Sequence, residues 1–262
     1  MRPRHQAGDA SGSGILVCDV DGTLTEPGAL SVPAAVLDAL ASFNIHRRLL
    51  VSTGRHANSV QRLFRKIGFV PTISLGGAAL HLHRWDCPTS TISMPKNVGV
   101  RVLDWALGRA EQVVLFTAEG AFSPTADAFD TPAIELLGPT PMRLRPEDLN
   151  RPILKILVID GSADSSAAHE LTDELQGFGA EVSSSVQGYV DICASGVHKA
   201  RLLPNYLESV RCERGRKPYL VFVGDSFNDI CCAALADESW TFQNSPDQLR
   251  QLATGLLRDN SS

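Results

Sequence analysis

The chain has 262 residues, 44% of them apolar and 20% charged, with a net charge of 24 − 29 = −5. It is long enough for a sizeable core. It carries no basic run to hold nucleic acid or an anionic membrane surface, and no stretch near the roughly 20 apolar residues of a membrane-spanning helix.

The polar start, Met1 to Gly14, reads as a disordered tail (1–14) and not as a signal peptide. Ile15 to Val17 is a buried strand that ends at Asp19-Val20-Asp21-Gly22. Ser31 to Phe43 has helical spacing, with Ser31 as N-cap and Pro33 in the first turn. Arg48 to Val51 is a second strand. Ser52-Thr53-Gly54-Arg55 follows it, then a helix from His56 to about Ile67 and an apolar run at Thr72 to Leu75. Such alternation predicts βαβ units and a parallel sheet.

The pattern changes near His83. Helical stretches at Val98 to Ala110 and Ser165 to Gly177 mix with strands at Val113 to Thr117, Leu154 to Ile159, Val182 to Val186 and Gly188 to Cys193. A Pro-rich segment, Ser123 to Pro152, holds turns, and consecutive strands around Gly188 predict a hairpin. This block, 84–190, reads as an inserted α+β domain between two parts of one core, 15–83 and 191–262. Beyond it come helices at Lys199 to Arg211, Phe227 to Ala236 and Pro246 to Leu257, with strands at Tyr219 to Val223 and Trp240 to Phe242. Six cysteines lack Cys-x-x-Cys spacing and read as mostly buried free thiols, which makes the cytoplasm the expected setting.

Aspartates are depleted in strands and costly to bury, so Asp19 and Asp21 at a strand's exit require a compensating partner. Three further segments place small polar residues after a buried strand: Thr53-Gly54-Arg55, the approach to Lys199, and Gly224-Asp225-Ser226-Phe227-Asn228-Asp229. Ligands of parallel sheets bind at the C-terminal strand ends, so these segments can converge. Their inventory suits phosphoryl transfer. Asp19, Asp21 and Asp225 offer hard oxygen ligands for Mg2+. Thr53 and the amides around Gly54 and Gly22 can donate to phosphate oxygens, and Lys199 supplies a compact positive charge. Asp19 is then a candidate nucleophile, and Asp21 a candidate acid and base.

The four segments, in this order, resemble the motifs of the haloacid dehalogenase (HAD) superfamily of phosphohydrolases. The place and size of the insertion resemble its Cof-type, sugar-phosphate phosphatase branch, which carries a large α/β cap. The resemblance spans about Ile15 to Leu257. It implies a Rossmann-like parallel-sheet core with helices on both faces plus an inserted cap, and a magnesium-dependent phosphatase acting on a small phosphomonoester such as a sugar phosphate. It further implies that Asp19 and Asp225 bind metal through their side chains and Asp21 through its carbonyl. Asp229 would support the metal directly or through water, and Asn228 would sit in the phosphate pocket. A sugar phosphomutase and a non-catalytic phosphometabolite-binding protein are the alternatives. One departure stands out: Gly76-Gly77-Ala78 replaces the Asn-Gly-Ala of many Cof-type members.

Arg55 is open to two roles, phosphate contact or ion pair. His81 and His83 fall on one side of an expected strand but have no third ligand partner. His198 is expected to be exposed. Within the insertion, Arg101, Trp105, Phe122, Arg143 and Tyr189 are the candidates for substrate selection.

Overall fold

The computed structural model describes residues 14–26, 29–45, 49–110, 112–129, 134–135, 137–159, 174–186 and 189–258. The tail read at 1–14, apart from Gly14, and most of the helix read at Ser165 to Gly177 lie outside them.

The first half alternates as expected: β1 (Gly14–Cys18), α1 (Ala34–Ile45), β2 (Leu49–Ser52), α2 (Ala57–Leu63) and β3 (Thr72–Ser74), then short strands β4 (Ala79–His81) and β5 (Ser90–Thr91). The middle holds α3 (Lys96–Leu107), β6 (Gln112–Phe116), β7 (Ala121–Ser123), β8 (Met142–Arg143), β9 (Lys155–Ile159), β10 (Ala180–Val186) and β11 (Tyr189–Ala194). The chain closes with α4 (Leu203–Arg214), β12 (Tyr219–Val223), α5 (Ile230–Leu235), β13 (Glu238–Phe242), α6 (Asp247–Leu252) and β14 (Gly255–Leu257).

These strands form two sheets. The first runs β14-β13-β12-β1-β2-β3-β4-β5. It is parallel from β14 to β3, and β4 and β5 add antiparallel pairs at one edge. Successive side chains of a strand point to opposite faces, and here both faces are covered. Ile15, Val17 and Leu50 pack with Leu203, Tyr206 and Val210 of α4. Cys18, Leu49 and Val51 pack with Leu37 and Leu40 of α1 and with Val60 and Leu63 of α2. That double burial is why β1 and β2 read as apolar runs and not as alternating patterns. The second sheet, β10-β11-β9-β6-β7-β8, is antiparallel except for β7 with β8. The helix α3 sets Val102, Leu103 and Ala106 into its core. The architecture is therefore the expected α/β core with an inserted α+β cap. Ser90–Thr91 pairs in the first sheet and Tyr189–Ala194 in the second, so the chain changes sheets later than 84 and 190.

Three sequence readings are corrected. The closing helix does not reach Leu257: it stops at Leu252, where Thr254-Gly255 lowers helix propensity, and Gly255–Leu257 pairs instead along β13. The helix after Lys199 begins only at Leu203, because Pro204 lacks an N–H and belongs in a first turn. His81 ends β4 while His83 lies exposed in the following bend, so the two do not share a strand. Cys18, Cys193 and Cys232 are buried thiols, whereas Cys87 and Cys212 are exposed.

Two histidines tie folding to pH. His56 caps α2, its Nδ1 accepting the Asn58 amide hydrogen at 3.1 Å, so a proton on that nitrogen would remove the cap. Burial, together with neighbouring His81 and Lys155, pushes its pKa down to about 3. Burial likewise pushes His81, which bonds Ser74 Oγ at 3.1 Å, down to about 4. Both fold neutral, so their contribution is complete above the ordinary value of 6.5 and is lost as pH falls from there toward 4 and 3. Urea unfolding should therefore show stability falling by a few kcal/mol, roughly, over that window. The substitution His56→Asn, which keeps a cap acceptor, should make the slope shallower; an unchanged slope would refute the assignment.

Candidate active site

The C-terminal ends of β1, β2 and β12, neighbours in the sheet, deliver three of the four polar segments to one place. At the end of β1, Asp19 extends the pairing with β12 through its amide, which donates to the Val223 carbonyl at 3.0 Å. The chain then turns sharply, with the Leu24 and Thr25 amides donating back to the Val20 carbonyl and the Gly22 amide donating forward to that of Thr25. Gly22 has φ +78°, and a Cβ there would stand 2.2 Å from Asp225 Oδ2. Only glycine lets the first loop lie against the fourth. Beside it, Thr23 Oγ1 donates to Asp225 Oδ1 at 2.9 Å.

Lys199 is buried to 3% exposure at the centre of the cluster. Its Nζ lies 2.7 Å from Asp19 Oδ1 and 2.8 Å from Asp229 Oδ1. Ser52 Oγ, at the end of β2, donates to the Lys199 carbonyl at 2.9 Å and anchors it to the sheet. Asp229 uses its other oxygen to accept the Asp225 and Ser226 amides, each at 3.0 Å, which shapes the fourth loop. Asn228 accepts from Ser226 Oγ at 2.8 Å through its side-chain oxygen, leaving its NH2 as donor.

The electrostatics follow from burial. Desolvation, then the charges of Asp229 and Asp225, push the Asp19 carboxyl well above its ordinary range, against the pull of Lys199. Burial and Asp229 raise Asp225 as well, opposed by the Thr23 hydrogen bond. Burial alone would lower Lys199, but Asp19 and Asp229 outweigh it and hold the ammonium above its usual value. One carboxylate oxygen from each of Asp19, Asp225 and Asp229 lies within 4.8 Å of the others. This all-oxygen donor set suits a hard divalent cation.

The second segment sits alongside. Thr53 is fully buried, and its Oγ1 accepts the Arg55 amide hydrogen at 3.1 Å. Of the two roles open to Arg55, the structure displays the ion pair: Nε and Nη2 grip Asp21 at 2.8 and 2.6 Å, and further bonds go to Ala29 O and Ser59 Oγ. Four of its five N–H donors are thus committed. Gly77, in the departing Gly76-Gly77-Ala78, has φ +106°, and a Cβ there would stand 2.0 Å from the His198 carbonyl oxygen. That segment is packed against the strand-to-lysine loop, and His198 is exposed as expected.

The insertion closes over this edge. A cavity of about 50 Å³ opens above Asp21, Gly54 and Arg55, and the second sheet lines it with Phe116, Lys155, Leu157, Tyr189 and Asp191. Of the five candidates read from the sequence, only Tyr189 is there. Arg101 stacks on Phe178, Trp105 and Phe122 are buried in the cap core, and Arg143 pairs with Asp127 at the surface. Lys155 and Asp191, both buried, were missed, although each is a charge inside an otherwise apolar strand.

This fold and constellation define a hydrolase class. The chain belongs to the haloacid dehalogenase-like hydrolase family, whose sequence model matches residues 16–262. Among solved structures, a haloacid dehalogenase-like hydrolase from B. subtilis superposes with a TM-score of 0.75 at 18% identity, over 93% of this chain and 94% of that one. The phosphatase BT1666 from Bacteroides thetaiotaomicron gives 0.68 at 19% identity, over 98% and 94%. The subclass IIB sugar phosphatase BT4131 gives 0.72 at 15% identity, over 94% of each chain. No curated protein matches in sequence. No helix among the described residues is long and apolar enough to cross a membrane.

Lys199→Met should lower the stability to urea by about 3 kcal/mol or more, because it leaves Asp19 and Asp229 buried without their cation. A midpoint equal to that of the parent protein would show that the ion triad is not a structural element.

Proposed function

We propose that this protein is a magnesium-dependent phosphatase that hydrolyses the monoester of a small metabolite, a sugar or sugar derivative, through an aspartyl-phosphate on Asp19. The observation that carries the reading is the convergence of Asp19, Asp225, Asp229 and Lys199 at the C-terminal edge of the parallel sheet. The phosphatases among the similar solved structures, one of them a sugar phosphatase, support it. The free thiols of the chain favour a cytoplasmic setting.

Asp19 and Asp225 would hold the ion through side-chain oxygens and Asp21 through its carbonyl, with Asp229 in support. When bound, magnesium neutralises phosphate charge so that a carboxylate can approach the phosphorus. Asp19 then attacks with a carboxylate oxygen, and the bond from phosphorus to the ester oxygen breaks. Asp21 gives its proton to that departing oxygen. In the second half Asp21 takes a proton from water, the water oxygen attacks phosphorus, and the Asp19 carboxylate and inorganic phosphate are released. Thr53, Gly54, Lys199 and Asn228 bind and orient the phosphoryl group, and positioning supplies much of the rate. Arg55 serves by orientation. Its fork holds both Asp21 oxygens and fixes the plane of the carboxyl group.

Phosphate release from a panel of sugar phosphates should require magnesium and vanish in Asp19→Asn. Isomerised ester without net phosphate would instead identify a mutase, and no turnover with tight ligand binding a sensor. Arg55→Ala should lower kcat by about a hundredfold, within the range of positioned acid–base catalysis. Arg55→Lys should recover little, because a point charge cannot hold both oxygens. Full activity in Arg55→Ala would remove the residue from the mechanism.

A further inference from the structure

The cap side of the cavity has a chemistry of its own. Phe116, Lys155 and Cys193 are directly opposed on β6, β9 and β11, and Leu157 opposes Asp191 one pleat further on. Residues directly opposite, or two apart along a strand, share a face. This register therefore turns Phe116, Lys155, Leu157 and Asp191 together toward the core. Lys155 and Asp191 form an ion pair at 6% and 9% side-chain exposure. The same ammonium donates to the Gly54 carbonyl at 2.9 Å and lies 5.6 Å from the centre of the Phe116 ring. A lysine of the cap thus rests on the loop that carries Thr53.

Charge accounting restricts what can fill the space. Lys155 is balanced by Asp191, and Arg55 by Asp21, so beyond the phosphoryl position the described residues lining the cavity include no uncompensated Lys or Arg. A second phosphate or a carboxylate on the substrate would be desolvated without a partner and would face the Asp191 carboxylate. A hydroxyl meets the opposite situation: Asp191 accepts its proton, and the Lys155 ammonium donates to its oxygen. Phe116 and Leu157 offer an apolar wall to carbon-bound hydrogens. The cavity, about 50 Å³, opens to solvent, so the pair meets the part of the leaving group nearest the ester.

We propose that Lys155 and Asp191 form a polar clamp that selects a small, uncharged, hydroxyl-bearing leaving group and rejects one that carries a second anion. This rests on the phosphatase reading and narrows it.

The test compares glycerol phosphate with phosphoglycerate, leaving groups of like size that differ by a carboxylate, and adds p-nitrophenyl phosphate, which has no aliphatic hydroxyl. The intact enzyme should prefer glycerol phosphate to phosphoglycerate by about tenfold or more in kcat/KM. Asp191→Asn should shrink that preference about tenfold, with kcat/KM for phosphoglycerate rising because the Lys155 charge is released to meet the carboxylate. Lys155→Met should cut the ratio of glycerol phosphate to p-nitrophenyl phosphate by about tenfold. Each ratio is taken on one preparation, so a partly unfolded variant does not distort it. Preference for phosphoglycerate in the intact enzyme, or ratios unmoved by both substitutions, would overturn the clamp while leaving phosphatase action standing. Failure of the intact enzyme on all three esters and on the sugar-phosphate panel would overturn the phosphatase reading and the clamp with it.

Discussion

The structure depends on one buried contact, the ammonium of Lys199 held between Asp19 and Asp229. Two carboxylates cannot be buried side by side without compensation, since each resists ionising near the other. Lys199 makes the arrangement foldable, and Ser52 fixes the lysine backbone to the sheet. Compensation is incomplete, however. Asp19, Asp225 and Asp229 bring three negative charges against one positive charge, a formal −2 that a divalent cation would balance. Burial first, and then this surplus, raises the pKa values of Asp19 and Asp225. Stability and the proposed metal affinity would therefore stem from the same set of charges.

Two further ion pairs carry the proposed handling of the proton and the leaving group. Arg55 fixes Asp21 from the core side, and Lys155 with Asp191 faces it from the cap. Each cation is already matched by its own carboxylate. The phosphoryl end of the cleft is thus electrostatically hungry while the leaving-group end is neutral. This division fits an ester with one charged end and one uncharged end. The Lys155 bond to Gly54 places the cap on the loop proposed to bind phosphate, so the cap contact and the proposed substrate recognition share a residue.

Much of this was legible in the sequence because burial makes charge expensive. Asp19-Val20-Asp21 after an apolar strand pointed to a site at once, and the order of the four segments supplied the family. Helices and strands of the core followed from apolar spacing, since both faces of the sheet are covered. The closing strand Gly255–Leu257 escaped because three residues carry no readable period, and only the unpaired edge of β13 selects a strand there. The role of Arg55 was undecidable from spacing, as Asp21 meets it across 34 positions. Lys155 and Asp191 obey the same rule as Asp19, a charge within an apolar strand, but nothing in the spacing shows that the two oppose the core, since their partners lie on separate strands. The candidates Arg101, Trp105, Phe122 and Arg143 serve cap packing and the cap surface.

The central claim is that Asp19 carries the phosphoryl group between ester and water. It is tested most directly by mixing enzyme, magnesium and a turned-over sugar phosphate, quenching in acid within a single turnover, and mapping the phosphorylated peptide by mass spectrometry. The account predicts one added phosphoryl group on the peptide containing Asp19, chased away by longer reaction before the quench. Phosphate release with no labelled peptide at any time, or a label on another residue, would contradict it.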